Sequence, residues 1–165
     1  MNGALREFRL DVAGADFPHT FMTLAQEATV LAFDFGTRRI GVAIGNTIVR
    51  AARPLATVDS VTTDARFAAI AALIDEWRPD QLIVGVPVHA DGAEHAMTAR
   101  ARRFARQLAG RFRLPVIEVD ERHTTQAAEA SLEHAGRGGR SGRERRDEVA
   151  AQIILQAWFD EQRAS

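Results

Sequence analysis

The spacing of hydrophobic and polar positions changes along the chain and predicts the element order β-β-β-α-β-α-β-α-α. Val30–Phe35 is a short apolar run closing on Asp34-Phe35-Gly36-Thr37, the pattern of a buried strand. Ile40–Gly45, rich in small residues, predicts a second strand, joined to the first by a hairpin-like turn at Arg38-Arg39, and Ala52–Val58 predicts a third. Thr63–Trp77 reads as a helix: Phe67, Ile70, Ile74 and Trp77 share one face, Ser60, Thr62 and Thr63 are candidate caps, and Pro79 ends it. Leu82–Val86 is an apolar run of the central parallel type, stopped by Pro87, with a loop over Val88–Gly92. Glu94–Phe112 predicts a long helix with Met97, Ala101, Phe104, Ala105, Leu108 and Phe112 in one stripe. Val116–Val119 is a short strand, and Thr124–Ala135 a helix that Gly136 can terminate. Residues 136–143 read as a flexible Gly/Arg loop, and Glu144–Asp160 as the last helix.

Three strands in succession predict an antiparallel meander, and the later strand–helix alternation adds parallel strands by right-handed crossovers. The expected fold class is α/β: a mixed five-stranded sheet flanked by helices, the layout of the ribonuclease H-like fold. Residues 1–28 differ in character. They mix Gly, Pro, Asp and Arg without a sustained period, so they read as an N-terminal extension open to disorder, with at most a short strand near Phe8–Val12. Met22 is an alternative start, and the domain proper is expected over 29–165.

At 165 residues and 18.1 kDa the chain has the size of one domain. With 46% hydrophobic and 26% charged residues it belongs among globular proteins. The absence of Cys excludes a disulfide framework, a Cys-ligated zinc and a Cys nucleophile. No apolar run approaches the ~20 residues that span a bilayer, and no secretory signal is visible, so a cytoplasmic protein without membrane contact is expected. The net charge of −1 conceals a bias, because all 21 basic residues are Arg. Arg suits bidentate phosphate recognition, although a GC-rich genome also favours it over Lys. The near-neutral total argues against a bulk polyanion binder but leaves room for a local basic patch.

Asp34 is the first candidate for chemistry. A carboxylate in an apolar strand is costly unless it is paired or metal-bound. It shares a face with Val30 and Ala32, while Gly41, Ala43 and Gly45 leave one face of the next strand almost bare. That bare groove would admit a metal or a phosphodiester. Asp120-Glu121-Arg122 arrive beyond a strand's carboxyl end, where open α/β sheets bind ligands. Strand alternation predicts that only one of Asp120 and Glu121 points into the site. Asp147 shares a helix stripe with Ala150, Ala151, Ile154 and Trp158, so it is a carboxylate on a buried face. Carboxylates from three distant segments suggest Mg²⁺ or Mn²⁺, hard cations that take oxygen ligands. Arg137, Arg140, Arg143, Arg145 and Arg146 lie close to Asp147 and could grip phosphates. The face carrying Arg100, Arg102, Arg103 and Arg106 reads as solvated, and His89, His95 and His123 as incidental.

These segments resemble the motifs of the YqgF family, also called RuvX proteins. Members of that family are named as Holliday junction resolvases and as nucleases of the 16S ribosomal RNA precursor. Phe33 through Ala43 is similar to its opening motif, and Ile83-Val84-Gly85-Val86-Pro87 with Asp91-Gly92 to its strand and loop signature. Pro115 through Thr125 resembles its Asp-Glu-Arg-x-Thr-Thr motif, and Asp147 through Gln156 its closing helix. The resemblance covers about residues 28–160 and implies metal-dependent phosphodiester cleavage in structured nucleic acid. It implies Asp34, Glu121 and Asp147 as catalytic and metal-binding acids, with Asp120 an additional candidate. No acid follows Gly85-Val86-Pro87, where related nucleases often carry one, and His89 stands where the family usually has Asn. Expected nucleic-acid contacts are Thr37, Arg38, Arg122, Thr124 and the Arg137, Arg140, Arg143, Arg145 and Arg146 group.

Three functions are then in contention. The first is an endonuclease acting in 5′-end maturation of 16S ribosomal RNA precursor, on the RNA or on a pre-ribosomal particle, as a monomer or weak homodimer. The second is a junction resolvase acting on branched DNA, which would need a symmetric dimer. The third is a non-catalytic RNA-binding or nucleotide-binding protein, since Asp34-Phe35-Gly36-Thr37 also resembles the phosphate turn of actin-like ATPases.

Overall fold

The computed structural model describes residues 27–59, 61–88, 94–121 and 126–163; the strand expected near Phe8–Val12 lies outside the described residues. The elements follow the expected order: β1 (Thr29–Asp34), β2 (Arg39–Asn46), β3 (Ala52–Asp59), α1 (Thr63–Trp77), β4 (Gln81–Val86), α2 (Ala96–Phe112), β5 (Val116–Asp120), α3 (Gln126–Ala135) and α4 (Gly139–Arg163). The sheet runs β3-β2-β1-β4-β5. β1–β2 and β2–β3 are antiparallel, while β1–β4 and β4–β5 are parallel, so a meander is extended by crossovers. β3 is one of the two edge strands, where Pro54 can sit without breaking a two-sided ladder, and the register shifts beside it between Val42 and Ala43.

Alternation along β1 divides the core into two layers. Leu31 and Phe33 point to one side, where they pack with Phe67 and Ile70 of α1 and Phe104 and Leu108 of α2. Val30 and Ala32 point to the other, against Ala151, Ile154, Leu155 and Phe159 of α4. The same alternation sends Asp34 to the α4 side and Phe35 to the α1–α2 side, where its ring lies 5.1 Å from that of Phe104. Thr62 caps α1, accepting from Ala65 N at 3.2 Å. His95 caps α2, its Nδ1 accepting from Met97 N at 3.2 Å, which gives this histidine a structural task.

The structure corrects two expectations. Residues 136–143 are not a free loop, because α4 begins at Gly139 and is 25 residues long. Glycine has a poor helix propensity, which is why the sequence reads as a loop. Tertiary packing overrides it: Gly142 is buried, and a Cβ there would lie 2.2 Å from the Arg137 carbonyl oxygen.

The second correction concerns the small-residue face of β2. It is covered by α4 and is no open groove. A Cβ on Gly41 would stand 1.8 Å from the Asp147 carbonyl oxygen, and one on Gly45 would stand 2.5 Å from the Phe159 ring. The missing side chains let the α4 backbone descend onto the sheet. Because Gly41 is the cross-strand partner of Asp34, this descent delivers Asp147 beside Asp34.

Candidate active site

Asp34 ends β1 with a glycine opposite it on each neighbouring strand, Gly41 on β2 and Gly85 on β4. Gly41 makes room for the Asp147 backbone. Gly85 makes room for Glu121, whose Oε1 lies 2.2 Å from where a Cβ of Gly85 would be. An acid from just beyond β5 therefore fills the space that Gly85 leaves open on β4. Glu121 follows the last residue of β5, so strand alternation no longer governs it. Asp120 and Glu121 both border the pocket, Asp120 as an exposed residue and Glu121 as a half-buried one.

The pocket measures about 260 Å³. Asp34, Asp120, Glu121 and Asp147 supply its acids and Arg146 its basic group, with Val119, Ala150 and Ile154 among its apolar walls. Glu161, late in α4, is a further acid that the sequence motifs do not single out. Its signal lies in the spacing: Asp147, Ala150, Ile154, Ala157 and Glu161 repeat at helical intervals and all line the pocket.

Burial raises the Asp34 pKa well above the ordinary carboxylate value. The Glu121 charge, a hydrogen bond to Glu121 and the Asp147 charge push it further up, and Arg146 opposes them. Burial also raises the pKa of Glu121, and the Asp120 charge adds to this against the hydrogen bond from Asp34. Two buried carboxyls in contact cannot both ionise cheaply. Burial therefore pushes both carboxyls toward the protonated form, Asp34 the more strongly. Asp147 is held differently, accepting from Arg39 Nε at 2.6 Å.

The donor set suits a hard divalent cation, since every candidate ligand is a carboxylate oxygen and the buried pair needs positive charge to ionise. Among the described residues, no three His, Cys, Asp or Glu side chains are gathered closely enough to hold an ion as they stand.

The predicted basic contacts divide into groups. Arg146 lines the pocket, whereas Arg137, Arg140, Arg143 and Arg145 do not. Arg140 pairs with Glu144 at 3.3 Å along α4. Thr37 and Arg38 are exposed in the β1–β2 turn, and Thr37 lines a second pocket on the other side of the sheet. Arg122, Thr124, His89 and His123 lie outside the described residues. Arg102 pairs with Glu94 and, at 3.7 Å, with Glu118. Arg100 and Arg103, which the sequence places on a solvated face, line that second pocket. Their i, i+3 spacing is the signal that places them side by side.

Comparison with known proteins agrees with this architecture. A Chromobacterium violaceum protein that carries the provisional name pre-16S rRNA nuclease is 58% identical over 132 residues, covering 79% of this chain and 96% of the relative. A Nitrosomonas europaea protein of the same provisional name is 55% identical over 139 residues, covering 84% and 94%. Thermus thermophilus RuvC, solved with a Holliday junction substrate, superposes with a TM-score of 0.51 at 19% identity, covering 82% of this chain and 96% of that one. At that identity the likeness speaks for the fold, which is ribonuclease H-like. Residues 28–161 match the RuvX family, described as Holliday junction resolvase, and the chain belongs to that family.

Proposed function

We propose that this chain is a divalent-cation-dependent endonuclease that hydrolyses phosphodiester bonds in structured RNA, with the 16S ribosomal RNA precursor as its substrate. The observation that carries this reading is the half-buried Asp34–Glu121 pair with Asp147 beside it, at the carboxyl end of a central strand and inside a solvent-open pocket. Asp34, Glu121 and Asp147 would hold Mg²⁺ or Mn²⁺, and Asp120 is the additional acid. When bound, the cation supplies Lewis-acid activation of water and charge relief at the leaving oxygen. The chain's own part is to fix the acids: the glycines beside Asp34 set their approach. Arg146 offsets the negative charge at the pocket, so a phosphate is not simply repelled. The names of the relatives support RNA as substrate. A cytoplasmic setting on a pre-ribosomal particle fits that reading, and among the described residues no helix is long and apolar enough to cross a membrane.

The family description favours a second reading, cleavage of four-way DNA junctions by the same acids. Resolution of a symmetric junction would require two copies, whereas RNA cleavage is open to a monomer or weak homodimer.

Incubation of end-labelled 16S precursor RNA with the protein and Mg²⁺, Mn²⁺ or chelator tests the proposal. A four-way DNA junction in parallel and Asp34→Asn as control complete it. Metal-dependent cuts near the mature 5′ end, absent with Asp34→Asn, support the RNA nuclease. Junction cleavage alone supports the resolvase. RNA affinity that survives loss of all three acids, with no turnover by the intact protein on free RNA or pre-ribosomal particles, overturns catalysis.

A further inference from the structure

The face of the sheet opposite the acids carries a second pocket, about 280 Å³ in volume. Asp34 and Phe35 are consecutive, so one strand end serves both pockets: Asp34 faces the first and Phe35 lines the second. Arg66 of α1 and Arg100 and Arg103 of α2 converge on this pocket, with Thr37 at its rim. No acidic side chain is among its described walls. Neither Arg100 nor Arg103 forms an ion pair with a described residue, unlike their neighbour Arg102.

Three arginines line one concavity with no acid among its described walls, and an anion bound there would offset their like charges. Arg66 is the most constrained of them. Its guanidinium sits 5.3 Å over the Phe35 ring, which fixes its position. Its partial burial lowers its pKa from the ordinary arginine value. Thr63, the first residue of α1, also lines the pocket and adds the positive end of a 15-residue helix. The floor, formed by Phe35 and Phe104, is apolar and suits a sugar rather than a second charge.

We propose that this pocket binds a backbone phosphate of the same nucleic-acid strand, a few nucleotides from the bond that the acidic pocket cleaves. The proposal rests on the nuclease reading above and adds to it a positioning site for the strand. A strand crossing the end of β1 would meet both pockets, because Asp34 and Phe35 are consecutive residues. Thr37, at the rim of the second pocket, would contact the same strand. A free nucleotide or inorganic phosphate shares the recognised chemistry, and the experiment separates these sources.

The test measures binding of a fluorescently labelled single-stranded RNA to the full chain carrying Asp34→Asn, without divalent cation, across a salt series. Arg100→Gln/Arg103→Gln is compared with Arg106→Gln, an exposed arginine on the same helix outside the pocket. The double variant is expected to bind several-fold more weakly. Its dependence of log K on log salt should be shallower by roughly 0.7 for each phosphate that is no longer neutralised. Arg66→Gln should do the same if circular dichroism shows it folded. Equal slopes and affinities for the double variant and Arg106→Gln overturn the proposal. Thermal stabilisation by inorganic phosphate or a mononucleotide, lost in the double variant while RNA affinity is unchanged, also overturns it, because the pocket then serves a free ligand. Cleavage by the wild-type chain is read separately. Pocket-dependent binding without cleavage overturns the nuclease reading and keeps this site, whereas cleavage with pocket-indifferent binding does the reverse.

Discussion

The carbonyl oxygen of Asp147 occupies the space that a side chain on Gly41 would need, 1.8 Å from an ideal Cβ. The helix that carries Asp147 thus rests backbone-to-backbone on the strand beside Asp34, and a single methyl group would separate them. Gly41→Ala should lift α4 from the sheet. Overpacking of this kind typically costs about 1–3 kcal/mol, and the obstacle here is backbone, which cannot rotate aside. The expected result is a lower urea midpoint, with any folded fraction losing nuclease activity far beyond its loss of stability. A Gly41→Ala protein of unchanged midpoint and activity would contradict the packing described.

The Asp34–Glu121 pair makes stability depend on pH in a direction opposite to that of a salt-bridged carboxylate. Burial raises both pKa values, so the folded chain holds a proton that the unfolded chain would release. That contribution is complete below the ordinary carboxylate range and is lost as pH rises through the raised folded values. Asp34→Asn removes the ionisable partner and keeps a donor for Glu121. It should match the wild type in acid and exceed it in melting temperature at neutral and alkaline pH. Each tenfold separation of folded and unfolded acid constants corresponds to about 1.4 kcal/mol. Melting curves across pH 4.5–8.5 in chelator check this, and parallel curves for the two proteins would refute it.

Much of this architecture is legible in residue order. The apolar run ending at Asp34 assigns the strand, and the apolar stripe through Ala151 and Ile154 assigns the face of α4. Asp34, Glu121 and Asp147 each stand out as charges in or next to apolar elements. Glu121's route to Asp34 is not legible, because it depends on Gly85 of a non-adjacent segment leaving a gap. The bare face at Gly41 and Gly45 is visible in the sequence but suggests an open groove, since the missing side chains are apparent and what fills their place is not. The arginines of α2 likewise form one face in sequence, until Arg66 and Phe35 from other elements close a pocket around two of them.

Arg39 holds Asp147 at 2.6 Å in a partly exposed setting, and it competes with any cation for the same carboxylate. Such pairs contribute only about 0–1 kcal/mol, so Arg39→Gln should scarcely change stability. Its effect should appear in cation binding. With Asp147 released, the variant should bind Mn²⁺ more tightly than the wild type, as read from the free-ion signal in electron paramagnetic resonance. Asp147→Asn should bind it more weakly than either. Weaker Mn²⁺ binding by Arg39→Gln would instead mark Arg39 as a residue that orients Asp147 for the cation.

Two helical glycines should respond to the same substitution with opposite signs. Gly110 lies within α2 and is exposed, and nothing lies within 4 Å of where its Cβ would be. Alanine there gains helix propensity worth about 0.5–1 kcal/mol and meets no obstacle. Gly142 lies in the first part of α4, is buried, and would place its Cβ 2.2 Å from the Arg137 carbonyl oxygen. The propensity gain is similar, but the clash is with backbone and should exceed it, for a net loss of about 1–2 kcal/mol. Gly110→Ala should therefore raise the urea midpoint and Gly142→Ala should lower it. Because the displaced segment carries Arg146 and Asp147, Gly142→Ala should also reduce cleavage, whereas Gly110→Ala should not. Stabilisation by both substitutions would mean that residues 139–143 are not packed as described. The basic segment before Asp147 would then be the free loop that its composition suggests.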